Sequence, residues 1–307
     1  MAKPEPQVVV ITGASAGIGR ATVRCYAREG ARIGLIARGR VGLEATAREV
    51  EALGGAALAI SADVADEAAV ERAAAAVEER FGPIDLWINN AFVGMFAELM
   101  EMTPDEYRRI TDVTYLGQVW GTRAALRRML PRDRGTIVLV GSALAYRGIP
   151  LQSAYCGAKH AVQGFHDSLR AELIHRGSDV HVTMVQLPAV NTPQFDWARS
   201  RMAKKPKPAG TIYQPEVAAE AIHFAARARR KQVYVGFSTL QAVAGEKVAS
   251  PLVDRILARI GYSGQKRDEP ADPRRRDNMF EPVEGDFGAH GSFDAQARGW
   301  SPMLWAS

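Results

Sequence analysis

The sequence predicts an α/β fold of Rossmann type, in which a doubly wound parallel sheet carries helices on both faces and is followed by a C-terminal extension. Apolar runs of four to eight residues alternate along the chain with longer segments of helical period. These runs are apolar throughout, which is typical of strands that are covered on both faces. The length of 307 residues, 47% of them hydrophobic, suits one large domain better than two.

The first half of the chain contains four predicted strands, each followed by a predicted helix. The strands are VVVIT (8–12), IGLIA (33–37), AALAIS (56–61) and DLWIN (85–89). The helices are GRATVRCYAREG (19–30), VGLEATAREVEAL (41–53), DEAAVERAAAAVEERF (66–81) and a longer one from about Pro104 to Met129.

The second half continues the pattern with TIVLVGS (136–142), VHVTMVQL (180–187) and VYVGF (233–237) as strands. Helices are predicted from Ser153 to Arg176 and from about Pro215 to Arg229. Gly13, Ser142 and Pro188 each follow a predicted strand. Ligands of such sheets bind beyond the carboxyl ends of the strands, so we expect the functional site there.

The composition changes from about Gly264 onward, where proline, glycine and charged residues dominate and no period survives. We therefore divide the chain into a domain at 1–262 and an arm or tail at 263–307. Composition favours a disordered tail, whereas five aromatic residues favour an ordered arm that packs on its own or a neighbouring subunit. They are Phe280, Phe287, Phe293, Trp300 and Trp305. Neighbouring acids predict that Arg274 to Arg276 are solvated.

Charge and patterning argue against several classes of protein. The net charge is +5, but basic residues are interleaved with acidic ones, so we expect no nucleic-acid partner. The first residues lack the apolar core of a secretory signal, which favours a cytoplasmic location. The most apolar stretch, 233–252, is interrupted by Glu246 and Lys247, so we expect no integral membrane segment. No CxxC or metal-ligand spacing occurs, so no metal is expected.

Tyr155 and Lys159 lie four residues apart in a predicted helix and therefore point from the same face. A positive charge about 4 Å from the phenol, at an effective dielectric of about 20, contributes about 4 kcal/mol. That energy is enough to lower the pKa of a tyrosine from about 10 to about 7. We therefore expect Tyr155 to act as an acid or base near neutral pH, with Lys159 as the cause.

The run TGASAGIG at 12–19, NNA at 89–91, Ser142 and the Tyr155-x-x-x-Lys159 pair occur in one order across the chain. With these motifs the chain resembles the short-chain dehydrogenase/reductases, to about residue 260. The spacing GxxxGxG, rather than the GxxGxxG of sugar epimerases and dehydratases, favours simple alcohol or carbonyl redox chemistry. The resemblance implies that Tyr155 donates a proton to the substrate oxygen, Ser142 hydrogen-bonds that oxygen, and Lys159 holds the nicotinamide ribose.

The glycine-rich turn and its helix N-terminus suit the pyrophosphate of a dinucleotide. At the end of the second strand, where an acid usually binds a free ribose, the sequence has Arg38, which favours NADP(H). By resemblance, Asp63 and Val64 flank the adenine, Asn90 and Ala91 line the groove, and Pro188 to Thr192 close over the nicotinamide. The predicted cofactor-binding residues are Gly13, Ser15, Gly17, Ile18, Gly19, Arg38, Asp63, Val64, Asn90, Ala91, Tyr155, Lys159, Pro188, Val190 and Thr192.

Two residues depart from the family pattern. Phe92 replaces the glycine of NNAG, and Thr114 replaces an asparagine whose main-chain carbonyl serves a proton relay in the family. Thr114 keeps a carbonyl, so we include it among the catalytic residues. The departures suggest an alternative function, a nucleotide-binding sensor or scaffold without turnover, although the intact Ser142, Tyr155 and Lys159 favour catalysis.

Apolar residues in the loops around the predicted site favour a lipophilic ketone or secondary alcohol as substrate. They are Val93, Met95, Phe96, Leu144, Tyr146, Ile149, Leu151, Phe195 and Trp197. The resemblance also implies a homodimer or homotetramer in which the helices at 104–129 and 153–176 pair across a twofold axis.

Overall fold

A parallel sheet of seven strands forms the centre of the protein, seen in a computed structural model that describes residues 7–272 and 274–301. The strands in chain order are β1 Val8–Thr12, β2 Arg32–Ala37, β3 Ala56–Ser61, β4 Leu86–Asn89, β5 Met95–Phe96, β6 Thr136–Val140, β7 His181–Gln186, β8 Ala189–Val190, β9 Arg199–Ser200, β10 Lys204–Pro206, β11 Ile212–Tyr213, β12 Gln232–Tyr234 and β13 Lys266–Pro270. The central sheet has the order β12-β7-β6-β4-β1-β2-β3, and the other strands form three two-stranded pairs.

Helices cover both faces of this sheet. They are α1 Gly17–Ala27, α2 Arg40–Ala52, α3 Glu67–Phe81, α4 Pro104–Thr111, α5 Gly117–Met129, α6 Ser153–His175, α7 Gln194–Trp197, α8 Pro215–Ala228 and α9 Phe237–Ile260. One buried cluster joins the sheet to α1, α2 and α8, and a second joins it to α3, α4, α5 and α6. The predicted doubly wound fold class is confirmed.

The predicted helix at 104–129 is interrupted in the structure. A π-helical turn at Asp112–Leu116 separates α4 from α5. Within that turn, the Thr114 hydroxyl donates to the carbonyl of Val93 at 2.8 Å and accepts from the Val93 N–H at 3.1 Å. This tertiary contact ties the widened turn to the segment after β4, which helical periodicity alone could not predict.

Helix α9 was not predicted from the sequence. It contains Pro251, and Arg147 in the loop before α6 holds it through Glu246, Ser250 and Asp254. No helix in the described part of the chain is long and apolar enough to cross a membrane.

The described residues beyond 262 lie against the rest of their own chain. Strand β13 pairs antiparallel with β10, Met279 is fully buried and Phe293 is 4% exposed, whereas Trp300 is largely exposed. Trp305 lies outside the described residues. The prediction of solvation is wrong for Arg275, which is partly buried because its guanidinium donates to the carbonyls of Phe195, Asp196 and Ala198. The domain boundary at residue 262 stays a prediction.

Candidate active site

Two adjoining cavities open at the carboxyl ends of the central strands. The first, of about 160 Å³, extends from the glycine-rich turn after β1 to the end of β2. The second, of about 340 Å³, lies beside Ser142 and the first turns of α6. Asn90, Ile18 and Phe92 line both, so the two cavities form one continuous cleft. This is the edge of the sheet at which ligands bind in doubly wound folds.

Ser142, Tyr155 and Lys159 all line the second cavity. Ser142 follows β6, where its N–H donates to Gln186 Oε1 at 2.9 Å and its hydroxyl oxygen accepts from the Leu144 N–H at 3.1 Å. Tyr155 and Lys159 lie in the first two turns of α6, and the Lys159 amine is 5.7 Å from the centroid of the Tyr155 ring. The structure therefore brings the three predicted catalytic side chains together.

The prediction that Lys159 lowers the pKa of Tyr155 is wrong for this arrangement. Burial raises the pKa of the Tyr155 phenol, and the nearby Ser142 hydroxyl opposes this only in part. Burial also lowers the pKa of the Lys159 amine from 10.5 to about 7. Both groups lie in a cavity that disfavours charge, so removal from water is the main cause of both shifts. Burial therefore favours the protonated phenol at neutral pH and disfavours the charged form of Lys159.

Phe92, the first departure from the family pattern, packs against this pair. Its ring meets the Tyr155 ring edge-on, with centroids 5.7 Å apart, and its centroid is 5.8 Å from the Lys159 amine. The aromatic face attracts a lysine cation, and the edge contact restrains the phenol. Phe92 therefore supports the positions of both side chains.

The second departure, Thr114, does not line either cavity and reaches the site through Gln118. The Lys159 amine donates to the Val140 carbonyl at 2.7 Å. The buried Gln118 amide nitrogen contacts that same carbonyl at 3.2 Å and the Thr114 carbonyl at 3.5 Å. The Thr114 carbonyl is thus linked to Lys159 indirectly, because Gln118 and Lys159 both donate to the Val140 carbonyl.

The turn between β1 and α1 fits a dinucleotide cofactor. Gly13 and Gly17 have φ of 68° and 57°, and a Cβ on Gly19 would lie 2.1 Å from the Gly13 carbonyl oxygen. Asn90 secures the turn, because its side-chain amide donates to the Thr12 and Gly13 carbonyls at 3.0 and 3.3 Å. A helix N-terminus directs N–H groups at an anion bound in such a turn. The first of these groups in α1, the Gly17 N–H, donates to the Gly288 carbonyl at 3.1 Å. The residues present therefore fit the pyrophosphate of a dinucleotide.

Arg38 lies at the end of β2 and lines the first cavity. Its guanidinium donates to the main-chain carbonyls of Asn278 at 2.5 Å and Phe280 at 2.8 Å. Burial, and then the neighbouring Arg109, lower the pKa of Arg38. Asp63 is salt-bridged to Arg109 at 2.5 Å, so it directs one carboxylate oxygen at that guanidinium.

The remaining predicted residues divide between the two cavities. Gly13, Ser15, Gly17, Asp63, Val64 and Ala91 line the first; Pro188 and Val190 line the second; and Ile18, Asn90 and Thr192 line both, whereas Gly19 lines neither. Of the loop residues expected near a substrate, Met95, Phe96, Leu144, Ile149 and Phe195 line the second cavity, whereas Val93 and Trp197 line the first. Tyr146 instead hydrogen-bonds Gln163, Gln232 and Tyr234, and Leu151 packs on Phe96.

Sequence reasoning missed Gln118, Gln186 and the part of the C-terminal arm that reaches the cleft. Gln118 could have been found, because it follows Thr114 by four residues and so shares its helical face. Gln186 is the last residue of β7, two residues before the predicted Pro188. The arm residues carry no periodic signal. Among the described residues, no cluster of three or more His, Cys, Asp or Glu side chains could hold a metal ion.

The family model described as short chain dehydrogenase matches residues 7–203. The chain belongs to the short chain dehydrogenase family. Within this family, it is 36% identical over 282 residues to the uncharacterized oxidoreductase YxnA of Bacillus subtilis (strain 168), a match that covers 91% of this chain and 79% of the relative. It is 34% identical over 191 residues to the dehydrogenase/reductase SDR family member 7B of Bos taurus, covering 60% of this chain and 58% of that protein.

Among solved structures of the family, the chain is similar to an alcohol dehydrogenase from the archaeon Thermococcus sibiricus, complexed with 5-hydroxy-NADP. The two chains are 28% identical, with a TM-score of 0.64, and the match covers 75% of this chain and 96% of that one. Nearly all of the archaeal enzyme is therefore matched, while a quarter of this chain has no counterpart in it.

Proposed function

We propose that this chain is an NADP(H)-dependent oxidoreductase that interconverts a lipophilic carbonyl compound and its secondary alcohol. The observation that carries the proposal is the common position of Ser142, Tyr155 and Lys159 on one largely apolar cavity, which continues into the cleft beside Arg38. When bound, the nicotinamide would supply or accept the hydride. The residues of this chain would bind the substrate and move the proton.

In this proposal, the Tyr155 hydroxyl donates its proton to the substrate oxygen during reduction, and Ser142 hydrogen-bonds the same oxygen. The raised pKa of Tyr155 keeps that proton in place until charge develops on the substrate. Lys159, with a pKa of about 7, can return a proton to the phenol at neutral pH. Alcohol oxidation runs the same transfers in reverse.

NADP(H) is preferred as cofactor because Arg38 stands where an acidic residue would otherwise bind a free ribose. A guanidinium can form charge-assisted hydrogen bonds with a 2′-phosphate. The NADP analogue bound to the archaeal relative supports this assignment. Thr192, Pro188 and Val190 would lie beside the nicotinamide.

The lining of the second cavity favours an apolar substrate. Phe96, Leu144, Ile149 and Phe195 contribute hydrophobic surface there, and Gln152 is among the few polar groups besides the catalytic ones. A cavity with few convergent polar groups orients a single oxygen and accommodates a hydrocarbon body. Aryl ketones and medium-chain ketones are therefore the first substrates to test.

The test is a panel of ketones, aldehydes and secondary alcohols, followed through NADPH absorbance. Tyr155→Phe is expected to abolish turnover and to leave the Kd for NADPH within a few-fold, because the hydroxyl serves proton transfer while the ring serves packing. Tyr115→Phe is the matched control, since Tyr115 lines neither cavity. Full activity in Tyr155→Phe would refute the mechanism. NADPH binding by the wild type without turnover of the panel would favour the sensor or scaffold instead.

We also propose a homodimer or homotetramer formed through α4, α5 and α6. The side chains of Tyr107 on α4, Tyr115 in the π-helical turn between α4 and α5, Trp120 on α5 and Phe165 on α6 are at least partly exposed. The rings of Tyr115 and Phe165 meet edge-on at 6.5 Å. Partly exposed aromatic residues are typical of interface cores. Sedimentation equilibrium would test this, and a monomer would refute it. The cytoplasmic location expected from the sequence stays a prediction.

A further inference from the structure

The C-terminal arm crosses the three segments that form the first cavity. The Asn278 carbonyl accepts from Arg38 after β2, the Gly288 carbonyl accepts from the Gly17 N–H at 3.1 Å, and the Phe293 N–H donates to Asn191 Oδ1 at 3.0 Å. Seventeen residues, 277–293, therefore run from the end of β2, past the N-terminus of α1, to the loop after β7. We call this segment the cleft arm.

Both ends and the middle of the cleft arm are anchored in the body of the protein. Met279 is fully buried in the cluster that joins the sheet to α3 and α6, and Phe293 packs edge-on against Phe195 with centroids 5.8 Å apart. Between them, Asp286 forms an ion pair with Arg20, a residue of α1 whose side chain is 3% exposed. Burial of the two apolar side chains favours the closed position by about 1.5 to 3 kcal/mol each.

The cleft arm also forms the outer wall of the first cavity. Phe287 packs edge-on against Trp197, with centroids 4.7 Å apart, and both rings line the cavity. The opposite wall is the glycine-rich turn. The arm residues that line this cavity are Asn278, Pro282, Val283, Gly285 and Phe287. A molecule bound at the glycine-rich turn and Arg38 would therefore be enclosed between the turn and the arm.

The hydrogen-bond partners that the arm gives to Arg38 are uncharged. Main-chain carbonyls of Asn278, Met279 and Phe280 orient the guanidinium, and the Met279 carbonyl also accepts from Arg109 at 3.0 Å. The carboxylates of Asp63 and Glu281 attract the guanidinium charge, but burial and Arg109 outweigh them and lower the Arg38 pKa. Burial makes such a charge costly unless an anion approaches it. A phosphate at this end of the cavity would supply that anion.

We infer that the cleft arm is part of the cofactor site: it covers the adenosine half of NADP(H), positions Arg38 for the 2′-phosphate and slows release of the cofactor. The inference rests on the proposed NADP(H) site but not on turnover.

The test uses two variants of the full chain that loosen the arm at different points. Phe287→Ala removes the contact with Trp197, and Asp286→Asn removes the ion pair with Arg20, which keeps Glu49 as a partner. Asp268→Asn is the matched control, because this carboxylate lies in β13 outside the cleft arm, is fully exposed and pairs with Lys204. Stopped-flow displacement of NADPH by excess NADP⁺ gives the dissociation rate constant of each protein.

Both loosening variants should release NADPH at least tenfold faster than the wild type, a difference of about 1.4 kcal/mol, and the control should stay within twofold. NADPH should also slow trypsin cleavage at the exposed Arg274 in the wild type more than in the variants. Unchanged release from both variants would overturn the inference while leaving the proposed reaction intact. Slower release or tighter binding would also overturn it, because the arm would then compete with the cofactor. Failure of the wild type to bind NADPH would instead refute the proposed cofactor.

Discussion

Replacing Lys159 with methionine should stabilise the folded protein at neutral pH while it abolishes activity. The side chain is 1% exposed, and burial lowers the pKa of its amine from 10.5 to about 7. The folded chain therefore binds this proton less tightly than the unfolded chain does. Below pH 7 the buried charge lowers the free energy of unfolding by about 5 kcal/mol, which is the pKa shift multiplied by about 1.4 kcal/mol per pH unit.

The penalty is relieved as the pH rises from about 7 towards 10.5, because the unfolded state binds more protons in that interval. The wild type should thus gain about 2 kcal/mol between pH 7 and pH 9 from this residue alone. Methionine fills a similar volume without a charge. When the amine is removed, the Val140 carbonyl still accepts a hydrogen bond from its second partner, Gln118, so this buried carbonyl keeps a donor.

Urea unfolding of the wild type and Lys159→Met, at several pH values between 6 and 9, measures the difference directly. The advantage of the variant should be largest at pH 6 to 7 and should shrink by about 2 kcal/mol by pH 9. Lys204→Met is the control, since that lysine is about half exposed and pairs with Asp268 at the surface. A stability difference that does not vary with pH would show that the pKa of Lys159 is not lowered in the folded protein.

Two further predictions concern single charged side chains. Arg38→Asp should shift the ratio of kcat/KM for NADPH to that for NADH tenfold to a hundredfold towards NADH, because a charged hydrogen bond of about 1.5 to 3 kcal/mol is lost and the new carboxylate repels a phosphate. Arg40→Asp is the control. An unchanged ratio in Arg38→Asp would show that Arg38 does not contact the cofactor. Glu106→Gln should destabilise the protein by about 3 kcal/mol at pH 7, since the buried carboxylate accepts from Arg199 at 2.9 Å and Arg201 at 2.8 Å. Burial opposes ionisation of Glu106, but the Thr103 N–H and these arginines lower the Glu106 pKa. The difference in urea midpoint between the variant and the wild type should therefore fade as the pH falls below 4.5. A difference that does not change with pH would contradict this explanation.

The sheet and the catalytic triplet could be predicted because their signals are local. Apolar runs mark β1, β6 and β7, and the four-residue spacing of Tyr155 and Lys159 fixes them on one helical face. The direction of their pKa shifts could not be predicted, because it depends on how deeply the site is buried. The π-helical turn likewise depends on a contact between Thr114 and Val93, which are 21 residues apart.

The course of the arm was beyond prediction for a related reason. Its proline, glycine and charged residues have no period, and each of its anchors is a separate contact with a distant part of the chain. The aromatic residues did indicate packing, and Phe287 and Phe293 do pack on the body. Nothing in the sequence around Arg38 indicated that its guanidinium would bind the carbonyls of Asn278 and Phe280.

The position of these anchors along the chain has a consequence for folding. Arg38 and Phe280 are separated by 242 residues, and Arg20 and Asp286 by 266, so the contacts of the cleft arm close very long loops. Loops of this length carry the largest closure entropy and tend to form late. During synthesis the sheet can assemble once β12 has emerged, but the cleft acquires its outer wall only after the segment up to Phe293 is made. A nascent chain would therefore hold an open cleft for some seconds before the finished one closes.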